Sequence, residues 1–461
     1  MQNNKIIQIA VLGLMLLGAM WAVSFLLEAT AQTRNVFLGV GFFVVLLVTL
    51  WRKIPLDAKL LFIVILGYAL GGKGFAYVSP VEPVYIGEIS LALCMLGLMT
   101  RLGHSGLFDT SIHKLIWVYL IYAGIHLIID YDQYRLLAIR DSSTAYYALF
   151  FFASYSLFLN DQIVHAFARI IKIALVFSAL QILMGKFSVR FPGFLPQVDA
   201  YIPLSAAAAF YFCVMAIENR KISYIVISGI LTLLCIMGKT SHLLSLVAVM
   251  ASAVLFGRMR TLMGPIAIMS VIAVVVGGVL LIVNPAIVID FIAESDTMET
   301  LSLDSGAFIG STTKWRWDWW MTIWHDTMRT APFWGAGFGG DISTAFLGPE
   351  LGKQVRYPHS IMFTAIGRLG LIGLSIFLTL FITIAVFTIK FCRSYYNRTD
   401  RCDADLICSG IVVAGMLNAL LQATYEVPHA AILHWVCLGY MASRYYGPQT
   451  YRNMSAQKPE L

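Results

Sequence analysis

Charged residues are scarce in this chain of 461 residues: they make up 12% of it, whereas hydrophobic residues make up 59%. A soluble domain is about a quarter charged and about half apolar. The mean hydropathy of +0.79 agrees with this imbalance. Because so little charge cannot cover a soluble surface, the composition indicates an integral membrane protein. It excludes a cytosolic enzyme, a nucleic-acid-binding protein and a secreted disulfide-rich scaffold.

Several functional signatures are also missing. All seven cysteines fall within predicted spans or on the predicted cytoplasmic side, so we expect no external disulfides, and no C-x-x-C pair is present. No external His/Cys cluster indicates a metal site and no P-loop indicates ATP binding, so neither a metal nor a cofactor is expected. No internal repeat is visible, which weakens the case for a transporter built from duplicated halves.

Apolar runs long enough to cross a bilayer as helices recur along the whole chain, and no alternating strand pattern occurs. We therefore predict an all-α polytopic membrane protein with about fourteen transmembrane helices. The first run is too long for the apolar part of a usual signal peptide, so it is expected to remain as a helix. The predicted spans are residues 6–27, 36–51, 58–71, 87–100, 113–129, 145–159, 163–184, 202–217, 222–238, 241–257, 262–283, 359–389, 405–422 and 430–443.

The distribution of lysine and arginine sets the expected orientation. With the N-terminus in the cytoplasm, the cytoplasmic segments hold nineteen basic residues: Lys5, Arg52, Lys53, Lys59, Arg101, Lys114, Arg169, Lys172, Arg220, Lys221, Arg258, Arg260, Lys390, Arg393, Arg398, Arg401, Arg444, Arg452 and Lys458. The short external loops hold seven: Arg34, Lys73, Arg135, Arg140, Lys186, Arg190 and Lys239. This excess predicts that both termini are cytoplasmic.

Three regions follow from this topology. Residues 1–283 contain the first eleven helices, residues 284–358 form one large external loop, and residues 359–461 contain three helices and a cytoplasmic tail. A loop of this length within a membrane protein usually carries function, so we expect the functional residues in or beside it.

A tryptophan-rich stretch lies in the middle of the long loop, where residues 311–324 hold five of the ten tryptophans. Helical spacing predicts an amphipathic helix on the bilayer surface, because tryptophan favours the interface. The apolar face is predicted to comprise Trp317, Trp320, Met321, Trp324 and Met328. Arg316 on its flank is a candidate for bidentate binding of a phosphate.

The end of the loop gives the sharpest candidate. Residues 335–340 are rich in glycine and predict a tight turn rather than a dinucleotide site, because no strand precedes them. His359 follows Pro358 where the chain re-enters the membrane, at the predicted N-terminus of a helix. The positive potential there disfavours imidazolium, so a neutral His359 could accept a proton from a hydroxyl. The alternative is a histidine that only caps or anchors the helix.

Several other charged residues could bind substrate or form structural contacts. Lys239 and His242 lie in a short external turn, and Arg368 lies two to three turns inside a span, where charge is costly and usually faces a polar cavity. Arg356, close before His359, is a further candidate for substrate binding. Arg140 and Asp141 are expected to form a local ion pair, and Glu88 is expected to anchor a loop.

Residues 311–375 resemble the O-antigen ligase and polymerase family of bacterial inner-membrane proteins. The matching elements are Arg316 with Trp320, the turn at 332–337, the pair Pro358-His359, the Gly-x-x-Gly at 367–370, and, upstream, the turn at 238–242 that looks like the family's Ser-Arg turn. Residues 72–91 and 138–142 look like exopolysaccharide-associated members. Two departures occur: Ser360 stands where the family has asparagine, and Ser241-His242 replaces Ser-Arg, which leaves Lys239 to supply the charge.

The resemblance implies a metal-independent glycosyltransferase of the GT-C type. Its donor would be a glycan on undecaprenyl pyrophosphate at the periplasmic face, and its acceptor a glycan or lipid A core. Arg316 and Lys239 would hold the pyrophosphate, with His242, Arg356, Arg368 and Trp320 as further binding residues and His359 as the base. Membrane lipids, and a chain-length regulator or flippase, would be partners.

Two rival functions stay open from the sequence. A lipid-linked oligosaccharide flippase or other export transporter can also have fourteen spans, although it would be expected to have short external loops. A scaffold for a polysaccharide-export machine would need neither Arg316 nor His359. Polymerase is favoured slightly over ligase because the acceptor-side residues depart from the ligase pattern.

Overall fold

The computed structural model describes residues 54–76, 84–101, 108, 110–187, 206–209, 211–212, 214–215, 222–236, 312–348, 355–395, 398, 401–422 and 424–456. The longer elements of these residues are helices, in agreement with the all-α prediction. We number them α1 (Leu56–Ala76), α2 (Ile86–Thr100), α3 (Ser111–Tyr134), α4 (Leu136–Asp141), α5 (Ser143–Tyr146), α6 (Leu149–Leu157), α7 (Asp161–Phe187), α8 (Ile222–Ile236), α9 (Thr312–Thr330), α10 (Ile361–Tyr395), α11 (Asp403–Leu421) and α12 (Pro428–Ala456).

Three described helices are long and apolar enough to cross a membrane: Ser111–Tyr134, Ile361–Tyr395 and Asp403–Leu420. Within the described ranges, helices also cover the predicted spans at 58–71, 87–100, 163–184, 222–238 and 430–443. The predicted span at 145–159 differs, because the chain there is divided between the short helices α5 and α6. The predicted spans at 6–27, 36–51, 241–257 and 262–283 lie outside the described residues.

The helices form a bundle in which α6 and α12 are central. α12 packs against α6 and α11, α10 packs against α3 and α11, and α1 packs against α2 and α7. Large apolar side chains fill the centre: Phe150, Phe151, Tyr440 and Met441 are all completely buried. This burial supplies the main packing free energy inside the bundle.

α3 has the polarity expected of a helix that faces lipid. Ile121, Ile125 and Ile128 form one stripe at helical spacing and are exposed, whereas His126 and Asp130 point into the protein. An exposed apolar stripe opposite buried ionisable groups is typical of helices in a bilayer, because polar groups there turn toward the protein interior. The polar face of α3 forms one wall of the site described next.

Candidate active site

The loop after α9 packs onto a break in α10. The break lies at Gly370, whose φ of +65° interrupts the helical geometry. Three backbone hydrogen bonds join the two segments: Ala336 N–H to Gly367 O (2.8 Å), Gly337 N–H to Arg368 O (2.9 Å) and Leu371 N–H to Pro332 O (2.8 Å). The loop therefore satisfies polar groups that the interrupted helix would leave unpaired.

One face of α3 holds the same loop from the other side. The Tyr122 hydroxyl donates to Leu369 O at 3.0 Å, and the His126 ring stacks on Trp334 with centroids 3.9 Å apart. One turn further, Asp130 Oδ2 accepts the Phe338 N–H at 2.7 Å. These three side chains of α3 are spaced four residues apart, so a single helical face contacts the break in α10, Trp334 and the glycine-rich turn.

The turn could not be built with ordinary side chains. Gly337 has φ +78°, and a Cβ there would lie 2.5 Å from the carboxylate of Asp130. The left-handed conformation lets the neighbouring N–H groups point at carboxylates, as in the backbone nests that bind anions. The tight turn predicted at 335–340 thus donates backbone hydrogen bonds to the carboxylates of Asp130 and Asp141.

Asp141 is the charged centre of this region and is completely buried. Its Oδ2 lies 2.5 Å from Arg356 Nη2 and 2.6 Å from Arg368 Nη1, and it also accepts the Gly339 N–H at 3.0 Å. The predicted local ion pair between Arg140 and Asp141 is wrong. Asp141 pairs instead with Arg356 and Arg368, which are distant in the sequence, and Arg140 is exposed. Asp141 therefore links the end of α4, the loop before α10 and α10 itself.

A second buried carboxyl group, that of Glu426, lies near Arg368. Glu426 lies in the turn between α11 and α12, is 4% exposed, and accepts a hydrogen bond from the Thr364 hydroxyl of α10. Burial raises the pKa of Glu426 to about 7, although Thr364 and the charge of Arg368 act in the opposite direction. Burial and the charge of Asp141 raise the pKa of Tyr357 to about 12, so its hydroxyl stays protonated at neutral pH.

His359 precedes α10 and has an unusual backbone conformation. Its φ of +55° lies in the left-handed region, which non-glycine residues seldom occupy. The first helical residue is Ile361, and Ser360 O accepts the Thr364 N–H at 2.9 Å. His359 therefore lies just outside the first turn of the helix rather than within it. Such conformations cost about 1–3 kcal/mol and often occur at functional sites.

The tryptophan-rich helix α9 holds this segment in place. Trp320 Nε1 donates to Pro358 O at 2.6 Å, and the Trp319 ring lies edge-on to the His359 ring with centroids 6.4 Å apart. Trp320 also stacks on Phe363 of α10, with centroids 5.1 Å apart. The two tryptophans thus contact both sides of the junction between the loop and α10.

The predicted apolar face of α9, which was expected to lie on the bilayer, is not the face that packs most closely against the protein. The face packed against α10 contains the buried side chains of Trp319, Ile323 and Thr327, whereas Trp317 is 57% exposed and Trp324 is 36% exposed. The spacing alone could not distinguish these two stripes, because tryptophan occurs on both sides of the helix. Arg316 is half-buried and precedes Trp319 and Trp320 by about one turn, so it lies on the same side of α9 as these two side chains.

Most of the predicted site residues fall into two neighbouring groups. His359 and Trp320 belong to the contact between α9 and the start of α10, Arg316 lies one turn before Trp320 on α9, and Arg356 and Arg368 converge on Asp141. Residues 356–359 connect the groups directly along the chain. Lys239 and His242 lie outside the described residues.

Sequence reasoning missed Asp130 and Glu426 and misassigned Asp141. Their signal was present: each is an ionisable residue in or beside an apolar span, and such residues usually face a polar interior. Among the described residues, no three His, Cys, Asp or Glu side chains come together as a metal-binding group.

Comparison with known families adds an independent finding. Residues 224–378 match the family model described as O-antigen ligase. The resemblance to the O-antigen ligase and polymerase family is confirmed. The matched segment contains Arg316, the glycine-rich turn, Pro358-His359 and the break in α10. No curated protein matches the chain. The family match supports a role in glycosyl transfer during O-antigen or polysaccharide assembly.

Proposed function

We propose that this protein is a glycosyltransferase that transfers or polymerises a glycan carried on undecaprenyl pyrophosphate, at the periplasmic face of the bacterial inner membrane. The observation that carries the proposal is the contact of α9, which bears Arg316, with the Pro358-His359 junction inside the family-matched segment. Polymerisation is favoured over ligation because Ser360 and the Ser241-His242 turn depart from the ligase pattern.

In the proposed reaction His359 is the general base. Its neutral imidazole accepts the proton of the acceptor hydroxyl while the hydroxyl oxygen attacks the anomeric carbon of the donor sugar. The bond between that carbon and the pyrophosphate oxygen breaks, and the pyrophosphate leaves with the electron pair. Attack opposite the leaving group predicts inversion at the anomeric carbon. No metal takes part in this scheme.

The remaining residues divide into binding and positioning roles. Arg316 binds the departing pyrophosphate, because a guanidinium offers it two parallel hydrogen bonds, and Lys239 adds a second positive charge. Arg368 is 1% exposed and already donates to Gly340 O and Arg356 O, so we assign it to positioning the loop around His359. Arg356, with 12% of its side chain exposed, has more access to the glycan.

The decisive test replaces His359 by glutamine. Purified full-length His359→Gln should lose transfer by about 10²–10⁴-fold, because glutamine cannot accept the proton. The assay uses detergent-solubilised protein, undecaprenyl-pyrophosphate glycan and a glycan acceptor, with product measured by gel electrophoresis. His325→Gln is the matched control, since His325 is an exposed histidine of α9, and it should leave transfer unchanged.

The same variant, expressed in cells, separates the rival functions. A flippase or an export scaffold would tolerate His359→Gln, because neither requires proton abstraction at that position. Normal polymer in cells carrying the variant would therefore reject the glycosyltransferase mechanism. Repeating the wild-type reaction with EDTA tests the metal-independent scheme, and loss of transfer in EDTA would contradict it.

The pyrophosphate site is tested with Arg316. Arg316→Ala should abolish polymer formation while the protein still accumulates in the membrane, and Arg316→Lys should restore it poorly, because a point charge cannot reproduce the bidentate geometry. Arg329→Ala serves as the control, because Arg329 is an exposed arginine near the end of the same helix. Full polymer in Arg316→Ala, measured in cells with equal protein levels, would remove Arg316 from the site.

A further inference from the structure

A cavity of about 480 Å³ lies at the opposite end of the bundle from His359. It is bounded by the first turns of α7, the chain before α11 and the later part of α12. Four of its lining residues are basic, Arg169, Lys172, Arg401 and Arg444, and two are acidic, Asp161 and Asp403. α10, which is about 50 Å long at 1.5 Å per residue, separates this cavity from the candidate active site.

The ion pairs in the cavity leave positive charge in excess. Lys172 Nζ lies 2.5 Å from Asp403 Oδ2, and Arg444 lies 3.8 Å from the exposed Asp161. Arg444 Nε also lies 3.7 Å from Oδ1 of Asp405, a buried residue that does not line the cavity. Within the described residues, Arg169 is exposed and forms no ion pair with a carboxylate.

The arrangement of the cations also favours an anion here. Arg169 and Lys172 are three residues apart on α7, so both side chains project from one helical face. The N-terminus of α11 adds no free positive charge, because Asp403 and Asp405 lie in its first turn and Asp405 accepts the Cys402 N–H. The guanidinium and ammonium groups that line the cavity are the groups that bind phosphate in proteins.

We propose that this cavity binds a phosphate-bearing anion at the cytoplasmic face of the membrane. Its volume falls in the range of small-molecule sites, about 300–1,000 Å³. The lysine and arginine distribution assigns this end of the helices to the cytoplasm, where basic pockets between helices bind anionic headgroups. The phosphate belongs either to an anionic lipid or to a soluble phosphate compound.

The test compares two double variants of the full-length protein. Arg169→Gln with Arg401→Gln removes two exposed cations that line the cavity. Lys390→Gln with Arg393→Gln removes two exposed cations at the end of α10, on the same side of the membrane and outside the cavity. Native mass spectrometry measures retention of phosphatidylglycerol and cardiolipin, and a thermal-shift titration in neutral-lipid nanodiscs measures binding of inorganic phosphate and pyrophosphate.

The cavity variant should bind at least one of these probes at least about tenfold more weakly than both the wild type and the control variant, because it lacks two guanidinium groups that can form charge-assisted hydrogen bonds with phosphate. Loss of lipid retention alone assigns the site to a lipid headgroup, and loss of the phosphate or pyrophosphate shift alone assigns it to a soluble compound. Because both arginines are exposed, the variant should unfold at the same temperature as the wild type without a probe. Equal binding by the two double variants, or by the single variant Arg169→Gln and the wild type, would overturn the proposal.

Discussion

At the scale of single residues, the site is organised by buried charges from distant parts of the chain. Arg356 and Arg368 both pair with Asp141, and the neighbouring Glu426 is buried with a raised pKa. Leaving one partner of a buried pair uncompensated typically costs about 3–5 kcal/mol. The balance among these four groups therefore fixes the loop before α10 and, through it, the position of His359.

Glu426 should make stability depend on pH in a predictable direction. The pKa of its carboxyl is 4.5 ordinarily and about 7 in the folded protein. Between these values the unfolded chain loses the proton while the folded protein keeps it, so the free energy of unfolding falls as pH rises from about 4.5 to about 7, by at most about 3 kcal/mol. Glu426→Gln cannot ionise and still offers Thr364 an acceptor, so it should remove this loss.

Thermal unfolding in detergent at pH 5 and pH 8 measures the effect. The Tm of Glu426→Gln should match that of the wild type at pH 5 and exceed it at pH 8. Asp318→Asn, which alters an exposed carboxylate of α9, should follow the wild type at both values. A Tm difference between Glu426→Gln and the wild type that is the same at both pH values would contradict the assignment.

At the scale of elements, the interruption of α10 is the feature that builds the site. The break leaves the carbonyl groups of Gly367 and Arg368 to accept hydrogen bonds from the glycine-rich loop, and the side chain of Arg368, two residues before the break, pairs with Asp141. Non-helical backbone at membrane depth is tolerated where it is buried in protein or lines a cavity. The loop supplies that burial, so the break and the loop depend on each other.

Gly370→Ala should disrupt this junction. A Cβ at Gly370 would lie 2.4 Å from the backbone of Phe333, and alanine disfavours a φ of +65°. We expect the free energy of unfolding to fall by about 1–3 kcal/mol from the backbone strain, and we expect transfer activity to be lost. Gly124→Ala is the control, because a Cβ at Gly124 meets no atom within 4 Å. Wild-type Tm and activity in Gly370→Ala would show that the junction does not require glycine.

At the scale of the whole molecule, the two ends of the bundle have different chemistry. The end with His359 contains the buried Asp141 pairs and the glycine-rich loop. The other end contains Lys172, Arg398, Arg401 and Arg444 around Asp403 and Asp405. The positive-inside rule predicts that the second end lies in the cytoplasm and that the site lies at the external face.

Reporter fusions test this orientation. Alkaline phosphatase fused near residue 345 should be active, because the large loop is expected outside the cytoplasm, and fusions near residues 260 and 450 should be inactive. Equal expression of the fusions is checked by immunoblot. Activity at residue 450 would mean an odd number of spans and would reject the orientation.

Much of the fold could be predicted from the sequence because hydropathy is local. The apolar runs at 113–129, 359–389 and 405–422 correspond to α3, α10 and α11, and the family motifs located the loop and His359 before any contact was known. Long apolar segments must form helices in a bilayer, where backbone groups lack water as a partner. This requirement acts within each segment, so residue order is enough to reveal it.

The partners of the buried groups were decided only by the tertiary structure. Asp141 pairs with Arg356 and Arg368 rather than with adjacent Arg140, and α9 packs through Trp319 rather than Trp317. A carboxylate in a sequence can meet any cation that the fold brings within reach, and a helix with tryptophan on several sides has no unique apolar face. The amino-acid sequence determined which segments enter the membrane and which carry charge. Packing of α3, α9 and α10 around one loop determined which charges meet, because only that packing sets their distances.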